Sequence, residues 1–112
     1  MRMKPEPSKA LERLREICLA LPKANETVTW GHPTFRARKK TFAVFEEYKG
    51  VWCIAFKVEK EHQTLFLTDG RFFVTPYIGQ RGWLSLKVER RLDWKEIKHL
   101  IVESYRLAEL QR

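Results

Sequence analysis

Three apolar-rich runs follow one another between residues 34 and 57, and each break between them is a pair of residues. Residues 34–38 alternate Phe35 and Ala37 with Thr34, Arg36 and Arg38, while residues 41–48 and Val51–Lys57 are rich in Phe, Val, Ile and Trp. Lys39 and Lys40 form the first break, Lys49 and Gly50 the second. A connection that short closes a hairpin, whereas parallel strands need a crossover of roughly a dozen residues or more. The runs therefore predict an antiparallel meander. Its third strand presents Trp52, Ile54 and Phe56 on one face and Val51, Cys53, Ala55 and Lys57 on the other.

Helical periods flank this meander. Ala10, Leu11, Leu14, Ile17, Cys18 and Leu21 recur at the spacing of one buried helix face, with Ser8 as cap and Pro22 as stop. Residues 59–68 read as a short helix ended by Asp69 and Gly70, although Leu65-Phe66-Leu67 also fits the opening of a strand. Two further strands are expected at 72–76 and 83–88, around a loop at 77–82. The last helix starts most clearly. Asp93 is the cap and Glu96, three residues on, completes a capping box, with Leu92 and Ile97 as the staple around it. Trp94, Ile97, Leu100, Ile101, Tyr105 and Ala108 form its buried face. The order is α-β-β-β-α-β-β-α, which predicts a two-layer α+β domain: an antiparallel sheet of about five strands with helices packed on it. Residues 1–7 read as a flexible lead-in and 8–112 as a single domain.

At 112 residues with 44% hydrophobic content, the chain is long enough to bury a core without staples. Cys18 and Cys53 fall on a helix stripe and in a strand, and read as buried, inert thiols; nothing in the spacing demands a disulfide. No apolar run approaches the ~20 residues of a membrane span and no signal-peptide core follows Met1, so the expectation is a soluble cytoplasmic protein without a membrane partner. The net charge of +8 is uneven: residues 1–40 carry ten Lys or Arg against four Glu. An excess of that sign attracts polyanions, and it also serves solubility alone.

Catalytic patterns are missing. His32, His62 and His99 show no metal-ligand spacing, and there is no nucleophile elbow, Walker loop or dinucleotide fingerprint. No enzyme activity, cofactor or metal is therefore expected. Gly31-His32-Pro33 reads as a turn packed by Trp30. Gly79-Gln80-Arg81-Gly82 reads as a turn in which both glycines take positive φ, Arg81 is exposed and Trp83 is anchored. Alternation puts Arg36 and Arg38 on one strand face, with Lys39 and Lys40 at its end. Lys57 and Lys87 share strand faces with small or aromatic residues. Such a surface holds phosphates and stacks bases; equally, it is what a solvated sheet face carries to discourage aggregation.

Three segments, Trp30-Gly31-His32-Pro33-Thr34-Phe35-Arg36, Tyr77-Ile78-Gly79-Gln80-Arg81-Gly82-Trp83, and Asp93-Trp94 followed by Ser104-Tyr105-Arg106, together resemble the bacterial MmcQ/YjbR family, over about residues 11–110. The resemblance implies a compact α+β fold of the CyaY-like or secretion-chaperone-like type and a DNA-binding role, with no established catalytic residues. The expected function is thus a small non-enzymatic domain that binds DNA or another nucleic acid. Arg36, Arg38, Lys39, Lys40 and Arg81 are the candidate phosphate contacts and Trp83 is the candidate stacking residue. The alternative is a protein-interaction or chaperone-like adaptor that uses the exposed sheet to hold a protein partner.

Overall fold

The computed structural model of the chain describes residues 7–89 and 91–110. The predicted meander forms the centre of a six-stranded sheet. Its strands are β1 (Ala24–Thr29), β2 (His32–Ala37), β3 (Lys40–Tyr48), β4 (Val51–Lys57), β5 (Phe72–Val74) and β6 (Trp83–Lys87). They lie in the order β1-β2-β3-β4-β6-β5, and every neighbouring pair is antiparallel. The fold is α+β, as expected, with one strand more than the periodicity predicts. That strand is β1, whose sequence Ala-Asn-Glu-Thr-Val-Thr has no apolar alternation because it is an edge strand with one free side. It joins β2 through Trp30 and Gly31, at φ +56° and +80°, and Lys49 and Gly50 repeat the arrangement between β3 and β4 at +52° and +81°. Positive φ at both positions is what a two-residue hairpin turn of the twist-matched kind requires.

Other boundaries shift by a residue or two. The first hairpin of the meander turns at Arg38 and Lys39, and Lys40 already belongs to β3. Helix α1 (Pro7–Leu19) stops two residues before the expected end, where the Leu21 amide bonds back to the Cys18 carbonyl at 3.2 Å. Ser8 lies inside its first turn, not at its cap. Of the expected lead-in, Pro7 opens α1, and 1–6 lie outside the described residues. The short helix is a 3₁₀ turn (Lys60–His62) continued by α2 (Gln63–Leu67), so the strand alternative for Leu65-Phe66-Leu67 is not taken.

All three helices cover one face of the sheet. Residues opposite one another across a ladder share a face. Phe35, Ala43, Phe56 and Leu84 therefore line one side, as do Phe45, Ile54, Leu86 and Phe72. That side meets Leu14 and Cys18 of α1, Ile97 and Ile101 of α3 (Trp94–Leu110), and Phe66 of α2, which is edge-on to Phe56 and Phe72. A bulge between β2 and β3 turns both Phe42 and Ala43 into this core. Ser104 fastens α3 to the sheet. Its fully buried hydroxyl donates to the Phe42 carbonyl at 2.7 Å and accepts from the Lys57 amide at 2.9 Å. The expected cap holds in part. The Glu96 amide donates to the Asp93 carboxylate at 3.1 Å, while the Glu96 carboxylate turns to Arg71 rather than back to the cap. Both cysteines are buried and free.

Candidate functional site

Among the described residues the second face of the sheet carries no α-helix, and the segment 75–82 packs over part of it, where Ala55 and Ser85 are buried. The ladder that buries Phe35 and Ala43 puts Thr34 and Val44 on this open face. Beyond the bulge Arg36 stands beside Thr41, and from β1 Thr27 stands opposite Thr34. Farther across, Glu46 faces Cys53, Cys53 faces Lys87, Ala55 faces Ser85, and Lys57 faces Trp83. A depression of about 360 Å³ opens over this face, with Thr34, Thr41 and Val44 on its floor. Trp30 and His32 stand at one end, and Ile78, Arg81 and Trp83 at the other. A second depression of about 550 Å³ shares Thr41, Arg81 and Trp83 with the first and wraps round the strand ends past Lys39, Lys40 and Lys57 to Ala108 of α3. The two make one continuous groove.

Arg36 crosses the groove floor. Its guanidinium donates to the Thr27 and Thr29 hydroxyls, both at 3.3 Å, and to the Lys39 carbonyl at 3.2 Å. All three partners are neutral, so the cation is oriented without being neutralised. Arg81 is exposed, as expected, at the end of a 3₁₀ turn formed by Gly79–Arg81. A rigid base holds that turn. Gln63 donates its side-chain amide to the Gly79 carbonyl at 2.7 Å and to the Trp83 carbonyl at 3.0 Å. The Val58 amide donates to the Gly82 carbonyl at 2.9 Å. Gly82 has φ +94°, and a Cβ there would lie 2.5 Å from the Val58 carbonyl oxygen. Gly79 does not share the positive φ expected of both glycines. What it needs is space, since a Cβ would sit 2.0 Å from the Val74 side chain.

Trp83 is anchored, only 7% exposed, and walls both parts of the groove. Its π-face is therefore largely covered. The exposed aromatics are elsewhere. Trp30 and Tyr77 are each 93% exposed, so Trp30 does not pack the turn as expected. It occupies the first corner of a hairpin, and the strand that would have revealed the hairpin, β1, has no apolar period. Arg38 also departs from its expected place beside Arg36. Alternation ends at Ala37, and Arg38 takes φ +60° in the turn. Its amide donates to the Lys23 carbonyl at 3.1 Å and its carbonyl accepts from the Asn25 side chain at 3.1 Å. Its charge acts on Tyr105 of α3, on the covered side. Of the six sequence-predicted residues, then, Arg36, Lys39, Lys40, Arg81 and Trp83 meet in the groove, and Arg38 does not. Lys57, whose face the sequence had already singled out, joins them.

The groove is electrostatically one-sided. Its lining cations are Arg36, Lys39, Lys40, Lys57 and Arg81, and among the described residues none of them is in an ion pair. Glu46 is the carboxylate in the lining; burial pushes its pKa above the ordinary glutamate value, and His32 beside it pulls the other way. Burial drives the Cys53 thiol on the same face up to about 12, with the Glu46 charge adding to it, so it is no nucleophile. Among the described residues no three His, Cys, Asp or Glu side chains come together to hold a metal, and no helix is long and apolar enough to cross a membrane.

The family model described as YjbR matches residues 19–107. The chain is similar in fold to the crystal structure of a Deinococcus radiodurans protein with a DUF419 domain, at 16% identity and a TM-score of 0.76, over 97% of this chain and 81% of that one. It is also similar to a protein from Pseudomonas syringae, at 17% identity and a TM-score of 0.75, over 87% of this chain and 97% of that one. No curated protein matches the sequence.

Proposed function

The chain belongs to the YjbR family, and we propose that it is a non-enzymatic domain whose open sheet face binds nucleic acid through the phosphate backbone. One observation carries this reading: five cations line a single groove with no carboxylate holding any of them among the described residues. Cations placed so are free to neutralise phosphates and release the counterions condensed on a polyanion, which is the dominant source of sequence-independent affinity. Arg36 adds direction, because its three neutral partners fix the guanidinium plane before any ligand arrives. The adaptor reading has less support. It rests on the apolar part of the lining, Trp30, Val44, Ile78 and Trp83, whereas the five cations around that part favour a polyanion.

The test is binding of a labelled oligonucleotide over a salt series. Five phosphate contacts predict a slope of about −4.5 on a duplex, or about −3.5 on a single strand, in log affinity against log salt. Exchanging Lys39, Lys40 and Arg81 together for Glu removes three of those contacts and is expected to flatten the slope by about two to three units. These side chains are exposed and outside the core, so the fold should survive the exchange. Absence of binding at low salt, or binding indifferent to salt, refutes the proposal.

A further inference from the structure

We infer that the ligand of this groove is single-stranded nucleic acid, with an unpaired base stacked on Trp30 and a second on Tyr77; the inference rests on the nucleic-acid reading above. Burial does not explain either aromatic ring, since each is 93% exposed. Backbone preference does not explain them either. Trp30 has φ +56° and Tyr77 has φ +72°, conformations that favour Gly or Asn and penalise bulky side chains. Among the described residues the other non-glycine residues with positive φ are Lys23, Arg38 and Lys49, ordinary solvated turn cations. Among the same residues Trp30 and Tyr77 alone combine an unfavourable backbone with a large apolar ring held in water. Among the described residues neither ring has an aromatic or cationic partner.

Their positions give the rings a common use. Trp30 lines the groove at the end away from Arg81, and Tyr77 directly precedes Ile78, which lines the other end. The cations Arg36, Arg81, Lys57, Lys39 and Lys40 line the groove with Trp30, and Tyr77 stands outside the lining, one residue from it. Aromatic platforms along a cationic track bind single strands: phosphates follow the charge while bases stack on the rings, whatever their sequence. A duplex has no use for such rings, because its bases are already stacked and offer only their edges. Size agrees. Depressions of about 360 and 550 Å³ are large enough to take a nucleotide.

The experiment compares three labelled probes of equal length by fluorescence anisotropy: a single-stranded oligothymidylate, its duplex with oligoadenylate, and an abasic deoxyribose-phosphate strand. Wild-type protein is set beside Trp30→Asn, Tyr77→Ala and the Lys39/Lys40/Arg81→Glu triple variant. Asn is chosen at position 30 because Asn-Gly suits the hairpin turn, so the fold is retained. Expected is tighter binding of the oligothymidylate than of either other probe. Trp30→Asn should weaken it by about tenfold or more, with Tyr77→Ala a lesser loss, and with the salt slope unchanged in both. The same two variants should leave binding to the abasic strand as it was. Oligothymidylate binding that neither variant weakens, or a duplex bound more tightly than the single strand, overturns the stacking inference and leaves the phosphate reading standing, provided the triple variant still loses affinity. Failure of all three probes to bind at low salt overturns both.

Discussion

The two faces of this sheet are built from the same strands and follow opposite rules. On the covered face, polar groups are satisfied within the protein. Ser104 donates to one backbone group and accepts from another, and Phe35, Ile54, Phe56 and Leu84 are all but inaccessible. Some charges near the helices are paired, Arg15 with Glu26, Arg71 with Asp69 and Glu96, Arg106 with Glu103, while Lys9, Arg13, Lys95 and Lys98 on the same helices are in no ion pair among the described residues. On the open face Arg36 is tied to hydroxyls and a carbonyl, and Arg81, Lys57, Lys39 and Lys40 have no acidic partner among the described residues. What sets the groove apart is not the lack of acidic partners but the convergence of five cations on one surface. Part of the net charge of +8 is thus concentrated where a ligand would supply anions, and the rest is spread over the surface.

The sharpest way to test the contrast is to truncate one large side chain on the covered face. Phe56 is 1% exposed and makes edge contacts with Phe66 and Phe72. Phe56→Ala should cost about 3–5 kcal/mol, the loss for a large aromatic whose cavity the surroundings cannot refill. Chemical denaturation measures it. A cost below about 1 kcal/mol would mean that the covered face is not the source of stability.

How much of this was legible in the sequence follows the same division. The covered face writes itself in periods: Ile54 and Phe56 alternate along β4, and Ile97, Ile101 and Ala108 repeat along α3, because burial demands apolar residues at regular intervals. The open face imposes such a demand only over its centre, where Cys53, Ala55 and Ser85 are buried, and not at its edge. β1 escaped detection because its covered side carries Glu26, paired with Arg15 of α1, and an exposed Val28, so no apolar period survives at the sheet edge. Losing β1 hid the hairpin at Trp30 and Gly31, and with it the exposure of Trp30. Arg38 was misplaced for a related reason: alternation was carried one residue past Ala37, where positive φ swings the chain away. Arg36, Lys39, Lys40, Arg81 and Trp83 were found because charge and aromaticity are visible residue by residue, but their convergence came only from the strand order.

A smaller effect of opposite sign is expected at the edge of the open face. Trp30 contributes little buried area and carries the cost of a left-handed backbone on a bulky residue. Trp30→Asn converts the turn to Asn-Gly, the preferred pair for this geometry, and should stabilise the fold by about 1 kcal/mol. Thermal melting reads the change directly. Together with the loss of single-strand binding expected of the same variant, a raised Tm would separate what this residue does for the fold from what it does for a ligand. A lowered Tm would show that Trp30 is a structural residue after all and would draw the boundary between the two faces elsewhere.

The smallest effect concerns Glu46, the carboxylate in a groove otherwise lined by cations. Burial raises its pKa in the folded state, with His32 partly offsetting the shift. The native state therefore holds the proton of Glu46 more tightly than the unfolded chain does. The stability that this proton carries is fully present below the unfolded value, about 4.3, and is lost as pH rises through the folded value. At neutral pH the ionised side chain is a net cost to the fold. Glu46→Gln, close in shape and uncharged, is accordingly expected to be slightly more stable than wild type at neutral pH. The advantage should shrink as pH falls and close below about pH 4, where Glu46 is protonated in both states. Urea midpoints for the two proteins across that range provide the comparison. Nucleic-acid affinity at neutral pH should move with it, since the substitution removes a negative charge from beside the phosphate track. A variant less stable than wild type at neutral pH would mean that attraction to His32 and the groove cations outweighs burial. The open face would then balance some of its charge internally, as the covered side does.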